Sequence, residues 1–350
     1  MDKQRETASA PVLGRSRILG AAVRYAVPAA LMGAGLGLWA YTDAWLTPAI
    51  ERIQTGDSDP GELHIWVQEQ RELAIVLAVV ALVGAVLRRR APVGIPALAV
   101  GVGLFAADCA VDAHGFSGWA TTVVMLVVGA ALVGVASASA SAWFGRRRPD
   151  PLLTRRVAAA VAIGAALLAP TLGPNFEDIE DFGQLPAGLV PSGVVVMALL
   201  WCAALALACL ARTTPLSARA LAGYMAVPVV VLVGAGASVD GALPMLAAPL
   251  LALVVMSVIR GRGWVDRRGW VLLGVAAVVA SVLYAFSSIL LGEALGAPLM
   301  AAAGFEYPSD GVPIVPGALP IALGAGLVLA FLTVPQPTMP AQQEVPPAAE

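Results

Sequence analysis

The sequence predicts an all-α fold, a polytopic transmembrane helix bundle of about ten spans with both chain ends on the cytoplasmic side. Three observations predict it. Hydrophobic residues make up 59% of the 350 residues and charged ones 13%, against ~25% charged in an ordinary soluble domain. A soluble core could not hide that excess without large apolar patches. The apolar residues fall in runs close to the ~20 that a ~30 Å hydrocarbon core demands of a helix. Runs such as "ELAIVLAVVALVGAVL" (72–87) also do not alternate as the strands of a membrane barrel do.

The spans follow in order. The first, 20–46, comes after a polar cytoplasmic tail (1–19) and is too long for a signal-peptide core, so it reads as an uncleaved anchor. Its Gly33 and Gly37 form a GxxxG pair, which predicts close helix packing. The helix is expected to continue through "LTPAIERIQ" to a C-cap at Gly56. Asp59-Pro60-Gly61-Glu62 then fits a helix start, with Asp at N-cap, Pro at N1 and Glu at N3. The second helix thus begins ahead of its apolar run, 70–88, and an outer helical hairpin occupies about 47–70. Spans 92–112 and 119–144 follow, the latter with Ser137 and Ser141 on a small-residue face. Spans 156–172, 188–210, 219–237 and 243–260 come next. Pro228 and Pro249 lie within the last two and are placed to break helices, as transporter sites often require. The ninth span, 269–291, carries Ser281, Tyr284 and Ser288 as a polar stripe at helical spacing. This stripe reads as helix packing or as the lining of a path. The tenth, 315–334, closes the membrane domain (20–334), and a Pro-rich tail, 335–350, reads as disordered.

Charge sets the sidedness. With the amino terminus inside and ten crossings, 19 of the 21 Lys and Arg fall on the inner side, and only Arg52 and Arg71 fall outside. This is the asymmetry of the positive-inside rule. Of the 23 acids, 17 lie in outer loops or at outer helix ends. Adding or removing one span would flip every later loop and spoil the pattern. The basic stretch "GRRRPDPLLTRR" (145–156) therefore needs no nucleic acid to explain it, and no nucleic-acid partner is expected. The expected partners are the lipid bilayer and a protein within it.

Three groups are candidates for chemistry. At the outer end of span three, "FAADCAVDAHGF" places Asp108 and Asp112 at i, i+4 on one helix face, with His114 two residues on. Carboxylates at that depth are costly, and a neighbouring pair holds a proton or a cation between them. One His and two acids are too few to name a metal. In the loop 173–187, "NFEDIEDF" gathers Glu177, Asp178, Glu180 and Asp181. Phe176, Ile179 and Phe182 share a face there, which fits an amphipathic turn on the outer leaflet better than a calcium loop. Asp57-Ser58-Asp59 suggests the metal motif of a membrane glycosyltransferase, but capping explains it as well. The middles of the spans carry no Asp, Glu, Lys, Arg or His. Cys109, Cys202 and Cys209 show no redox or metal spacing, and the last two are expected on one buried face. No cofactor is expected.

One Lys against twenty Arg, with abundant Ala, Gly and Pro, points to a GC-rich bacterial genome and hence to the plasma membrane. "GWVDRRG" (263–269) resembles the Gly-x-x-x-Asp-Arg-x-Gly loop of major facilitator transporters over these few residues. Its leading Gly is one position off, the closing basic pair is missing and ten spans are two short, so the chain is not assigned to that family. Three function classes fit. They are a transporter or permease of unstated substrate, a non-catalytic membrane partner or assembly factor, and a membrane-embedded transferase or hydrolase using Asp108, Asp112 and His114.

Overall fold

A computed structural model describes residues 12–53, 61–88, 93–144, 150–171, 185–236, 243–261, 267–303 and 313–334. The two tails, Gly56 to Pro60, the acidic turn at 177–181 and the Trp-Val-Asp of 264–266 lie outside them, so the readings made on those stretches do too. Every element among the described residues is helical. The helices are α1 (Val12–Tyr41), a π turn (Thr42–Leu46), α2 (Thr47–Ile53), α3 (Gly61–Arg88), α4 (Gly94–His114), α5 (Gly118–Phe144), α6 (Pro151–Leu168), α7 (Leu189–Ala211), α8 (Ala218–Gly236), α9 (Leu243–Leu246), α10 (Ala248–Arg260), α11 (Arg267–Ala303) and α12 (Val315–Thr333). Seven of them, α3 to α7, α11 and α12, are long and apolar enough to cross a membrane.

Two helices organise the bundle. α3 is ringed by α1, α4, α6 and α7, and α6 by α7, α10 and α12, with α11 against α10 and α12. The outer surface is apolar. Val123, Val124 and Val127 of α5, and Val275, Val278, Val282 and Phe286 of α11, are all exposed. A water-soluble protein avoids continuous patches of this kind, whereas hydrocarbon favours them.

Small residues let the backbones approach. A Cβ added at Gly35 would lie 2.8 Å from the backbone N of Ala78 and 2.9 Å from the carbonyl O of Ala74. The predicted GxxxG pair does not make this contact. Gly33 and Gly37 face open space, and Gly35 between them is the point of closest approach to α3. Pattern alone picked the wrong face because α1 has small residues on both sides. Gly164 of α6 and Gly326 of α12 are similarly close, each against the other helix's backbone.

The prolines behave as the sequence suggests at one site. The 243–260 stretch is broken at Ala247, and Pro249 stands in the first turn of α10. Pro249 has no N–H to offer the preceding turn. Ser281 of α11 donates to the Leu246 carbonyl at the break (2.6 Å), satisfying a group that lipid would leave bare. Pro228 lies within α8. The cysteine expectation is corrected. Cys202 is only half-buried and Cys209 is exposed, because the buried face of α7 is carried by Trp201, Ala204, Leu205 and Ala208.

Arginines at one end of the bundle clasp helix termini. Arg155 of α6 donates to the Ala211 carbonyl that ends α7 (2.8 Å). Arg212, just after α7, donates to Val258 O in the last turn of α10 (2.7 Å). Arg260 of α10 donates to Thr333 O at the end of α12 (2.9 Å) and to Leu332 O. Arg156 of α6 sits over the Phe331 ring of α12, 4.6 Å from its centroid, and closes the circuit. The guanidinium groups of Arg155, Arg212 and Arg260 meet carbonyls left over at helix C-termini, where the helix dipole also favours a cation. The charge asymmetry of the sequence is thus built into the packing. Asp150 starts α6 in the same region, accepting from Leu152 N (2.9 Å) with Pro151 at the first position.

Candidate functional site

The opposite end is acidic, and it centres on a residue the sequence reading placed at the outer edge of the second span. α3 begins at Gly61, so "QEQRE" (68–72) lies well inside a continuous helix. Gln68, Glu69, Gln70, Arg71 and Glu72 are all buried. Five consecutive positions cover every side of a helix, so α3 is enclosed by protein here, and its polar groups reach in several directions.

Arg71 is the hub. Its Nη1 and Nη2 engage the two oxygens of Asp112 as a fork, the Nη2–Oδ2 contact being 2.6 Å. Nη1 also meets Asp43 Oδ1 at 2.9 Å. Nε lies 3.8 Å from Asp108 Oδ1, which accepts from Trp39 Nε1 at 2.7 Å. The side chains of these four charged residues are 2–4% exposed. Asp108 and Asp112 face Arg71 together because they are one turn apart on α4, as their spacing predicts. Trp39 and Asp43 are likewise four apart at the end of α1. The π turn from Thr42 carries Asp43 there, a local distortion frequent at functional positions. Thr42 Oγ1 bonds back to the carbonyls of Leu38 and Trp39 (2.8 and 3.0 Å), occupying groups that the widened turn frees.

The neighbours of Arg71 bind other helix ends. Glu69 accepts from the backbone N–H groups of Ile314 and Val315 (3.1 Å for the latter), capping α12. Gln70 donates to Leu189 O (3.0 Å) and accepts from Ser192 Oγ (2.6 Å) at the start of α7. Gln68 donates to Glu72 (3.1 Å). At the rim, Trp45 packs edge-on against Trp119 (5.4 Å) and donates to Thr122 Oγ1 (3.0 Å). Such a pair suits the aromatic belt at a membrane boundary.

Not every sequence candidate joins this cluster. His114 is exposed, bonded to Ala110 O (2.8 Å) and stacked on Phe116. Ser281, Tyr284 and Ser288 are buried against neighbouring helices. Tyr284 donates to Leu167 O of α6 (3.0 Å), and Ser288 lies where α11 meets Gly317 of α12. Among the described residues, no three His, Cys, Asp or Glu side chains are grouped to hold a metal ion. A guanidinium occupies the centre of the acidic cluster instead.

No family model, no curated protein and no solved structure matches this chain. The functional reading therefore rests on the site.

The Glu69 cap gives a direct check. Glu69→Leu is expected to cost about 1–3 kcal/mol, because two buried N–H groups of α12 lose their acceptor. Glu69→Gln keeps an acceptor and should lose less. Thermal unfolding in detergent ranks the two, and equal midpoints for wild type and Glu69→Leu would remove the cap from the account.

Proposed function

We propose that the chain is a plasma-membrane transport protein of bacterial type. In this reading it crosses about ten times with both termini in the cytoplasm, and the cluster around Arg71 takes up protons or cations during transport. The ten-span count is supported by helices on all ten predicted stretches and by arginines gathered at one end.

One observation carries the transport reading. Asp43, Asp108 and Asp112 converge on a single guanidinium in an apolar bundle, with Glu69 and Glu72 on the same helix as that guanidinium. Asp43 Oδ2 is buried with no hydrogen-bond partner among the described residues. Fully ionised, the four-residue cluster carries two surplus negative charges, and a low dielectric penalises that heavily. Protons or cations are what neutralise such sites, and intramembrane acids of this kind mark ion pathways and proton relays.

The test uses purified protein in proteoliposomes on an electrode, challenged with a panel of organic cations and neutral metabolites. At least one solute should evoke a charge movement, and folded Asp108→Asn should reduce it at least about tenfold. A silent wild type across the panel, or an Asp108→Asn variant as active as wild type, would sink the reading.

A second reading is favoured by the sealing of that same cluster, whose side chains scarcely reach the surface. It would then be a static ionic staple, and the chain a non-catalytic partner that holds its shape for another membrane protein. A native-membrane pull-down with mass spectrometry separates the two. One stoichiometric partner favours the staple, and recovery of the chain alone in gentle detergent counts against it.

A further inference from the structure

We propose that Asp43 and Asp112 share one proton as a carboxyl dyad, with the proton carried on Asp43 and Asp112 held as the anion by Arg71. The inference rests on the reading of this cluster as a proton site and assigns the proton a place within it. The three aspartates are bound unequally. Asp112 gives both oxygens to the two Nη groups of Arg71, so it takes the single positive charge through a fork. Asp43 has one oxygen on that guanidinium, Oδ1 at 2.9 Å from Nη1. Its Oδ2 is buried with no hydrogen-bond partner among the described residues. A carboxylate spreads its charge over both oxygens. An ionised Asp43 would therefore leave part of its charge bare on a side chain that is 2% exposed. As a neutral acid, Asp43 keeps the bond from Nη1 and strands no charge.

The geometry also supplies an acceptor for that proton. Asp43 Oδ1 and Asp112 Oδ1 accept from the same Nη1, and the two side chains stand within hydrogen-bonding reach of each other. Neighbouring carboxylates resist double ionisation where water is excluded, and one of them keeps a proton that it donates to the other. Such a proton belongs to the pair as a unit. Asp108 is the rival carrier. Its Oδ1 accepts from Trp39 Nε1 at 2.7 Å, and a donor aimed at that oxygen favours the ionised form. Among the described residues, the charges acting on Asp43 are Arg71 of α3 and Asp108 and Asp112 of α4. A proton in the dyad halves the surplus negative charge of this group.

Infrared spectroscopy of the full chain in detergent tests this, with the aspartate side-chain carboxyls isotopically labelled. Exposed aspartates titrate near ~3.9 and are ionised at neutral pH. A protonated-acid C=O band that moves with the label at neutral pH therefore reports a buried aspartic acid. Wild type should show one such band. Asp43→Asn, which keeps an oxygen for Nη1, should abolish it, and Asp108→Asn should leave it in place. Folded Asp112→Asn removes the neighbouring charge, lets Asp43 ionise and should abolish the band as well. Absence of the band in wild type overturns the proposal, and this outcome needs no variant. Survival of the band in Asp43→Asn or in folded Asp112→Asn, or its loss in Asp108→Asn, also overturns it. The transport reading fails separately. A band beside a silent electrode sinks transport and leaves the dyad, whereas charge movement without the band does the reverse.

Discussion

Arg71→Met is expected to cost about 3–5 kcal/mol of stability, the usual penalty for removing one partner of a buried ionic group. The change deletes the common counter-charge of Asp43, Asp108 and Asp112 while their side chains stay sealed from solvent. It also disconnects α3 from the π turn and from α4. The loss should appear as a lower thermal midpoint in detergent and as less monodisperse protein. Arg71→Lys should fall between the two, because an ammonium cannot fork onto both Asp112 oxygens and still reach Asp43. The decisive arm is compensation. Adding Asp43→Asn, Asp108→Asn and Asp112→Asn to Arg71→Met removes the stranded charges and should recover most of the loss. Neutral, well-packed replacements of buried ion networks are often no less stable than the network itself. If Arg71→Met alone melts with wild type, the guanidinium does not hold this end of the bundle together.

The same residue shows what the sequence made legible. Hydropathy located the helices because each must be apolar over its full membrane depth, and that signal is local. Arginine counts located one end of the bundle for the same reason. Asp108 and Asp112 were recognisable as a pair because one helix turn separates them. Their partners were not, since Arg71 is 28 residues from Asp43 and 41 from Asp112, and Trp39 is 69 from Asp108. Contacts at such separations are set by how helices dock, which a single sequence does not encode by spacing. Two signals did point there. Arg71 is one of only two Lys or Arg residues that the predicted topology leaves on the acidic side, and "QEQRE" leads into an apolar run without a break. Starting the second span at 70 put that segment at a loop edge, where charge needs no explanation. The GxxxG reading failed for a related reason, because the glycine pattern of α1 does not say which side meets α3. His114 stood near Asp112 in sequence but faces outward on α4, so proximity along the chain overstated the site.

Gly326→Val should be the most damaging small-residue change at the α6–α12 contact. A Cβ at 326 would lie 2.5 Å from the Ala160 carbonyl and 3.2 Å from Gly164 N. Across the interface, a Cβ at Gly164 would lie 3.2 Å from Ala322 O. Ala160 and Gly164 on one helix thus face Ala322 and Gly326 on the other, small residues four apart on both sides, the arrangement that lets membrane helices nearly touch. The obstructing atoms are backbone and cannot rotate away, so valine must push the helices apart. Overpacking of this kind typically costs about 1–3 kcal/mol, and occasionally more. The upper part of that range is expected here, because the displacement also moves Phe331 from Arg156 and Thr333 from Arg260 at the end of the same helix. Gly324→Val is the matched control. It lies two residues away on the exposed side of α12 with nothing within 4 Å, and adds the same β-branched residue to the same helix. Thermal unfolding in detergent should separate the two variants by several degrees, with Gly324→Val close to wild type. Equal midpoints would mean that α6 and α12 do not approach as closely as their glycines allow, and the arginine clasp at their ends would then lack the packing that positions it.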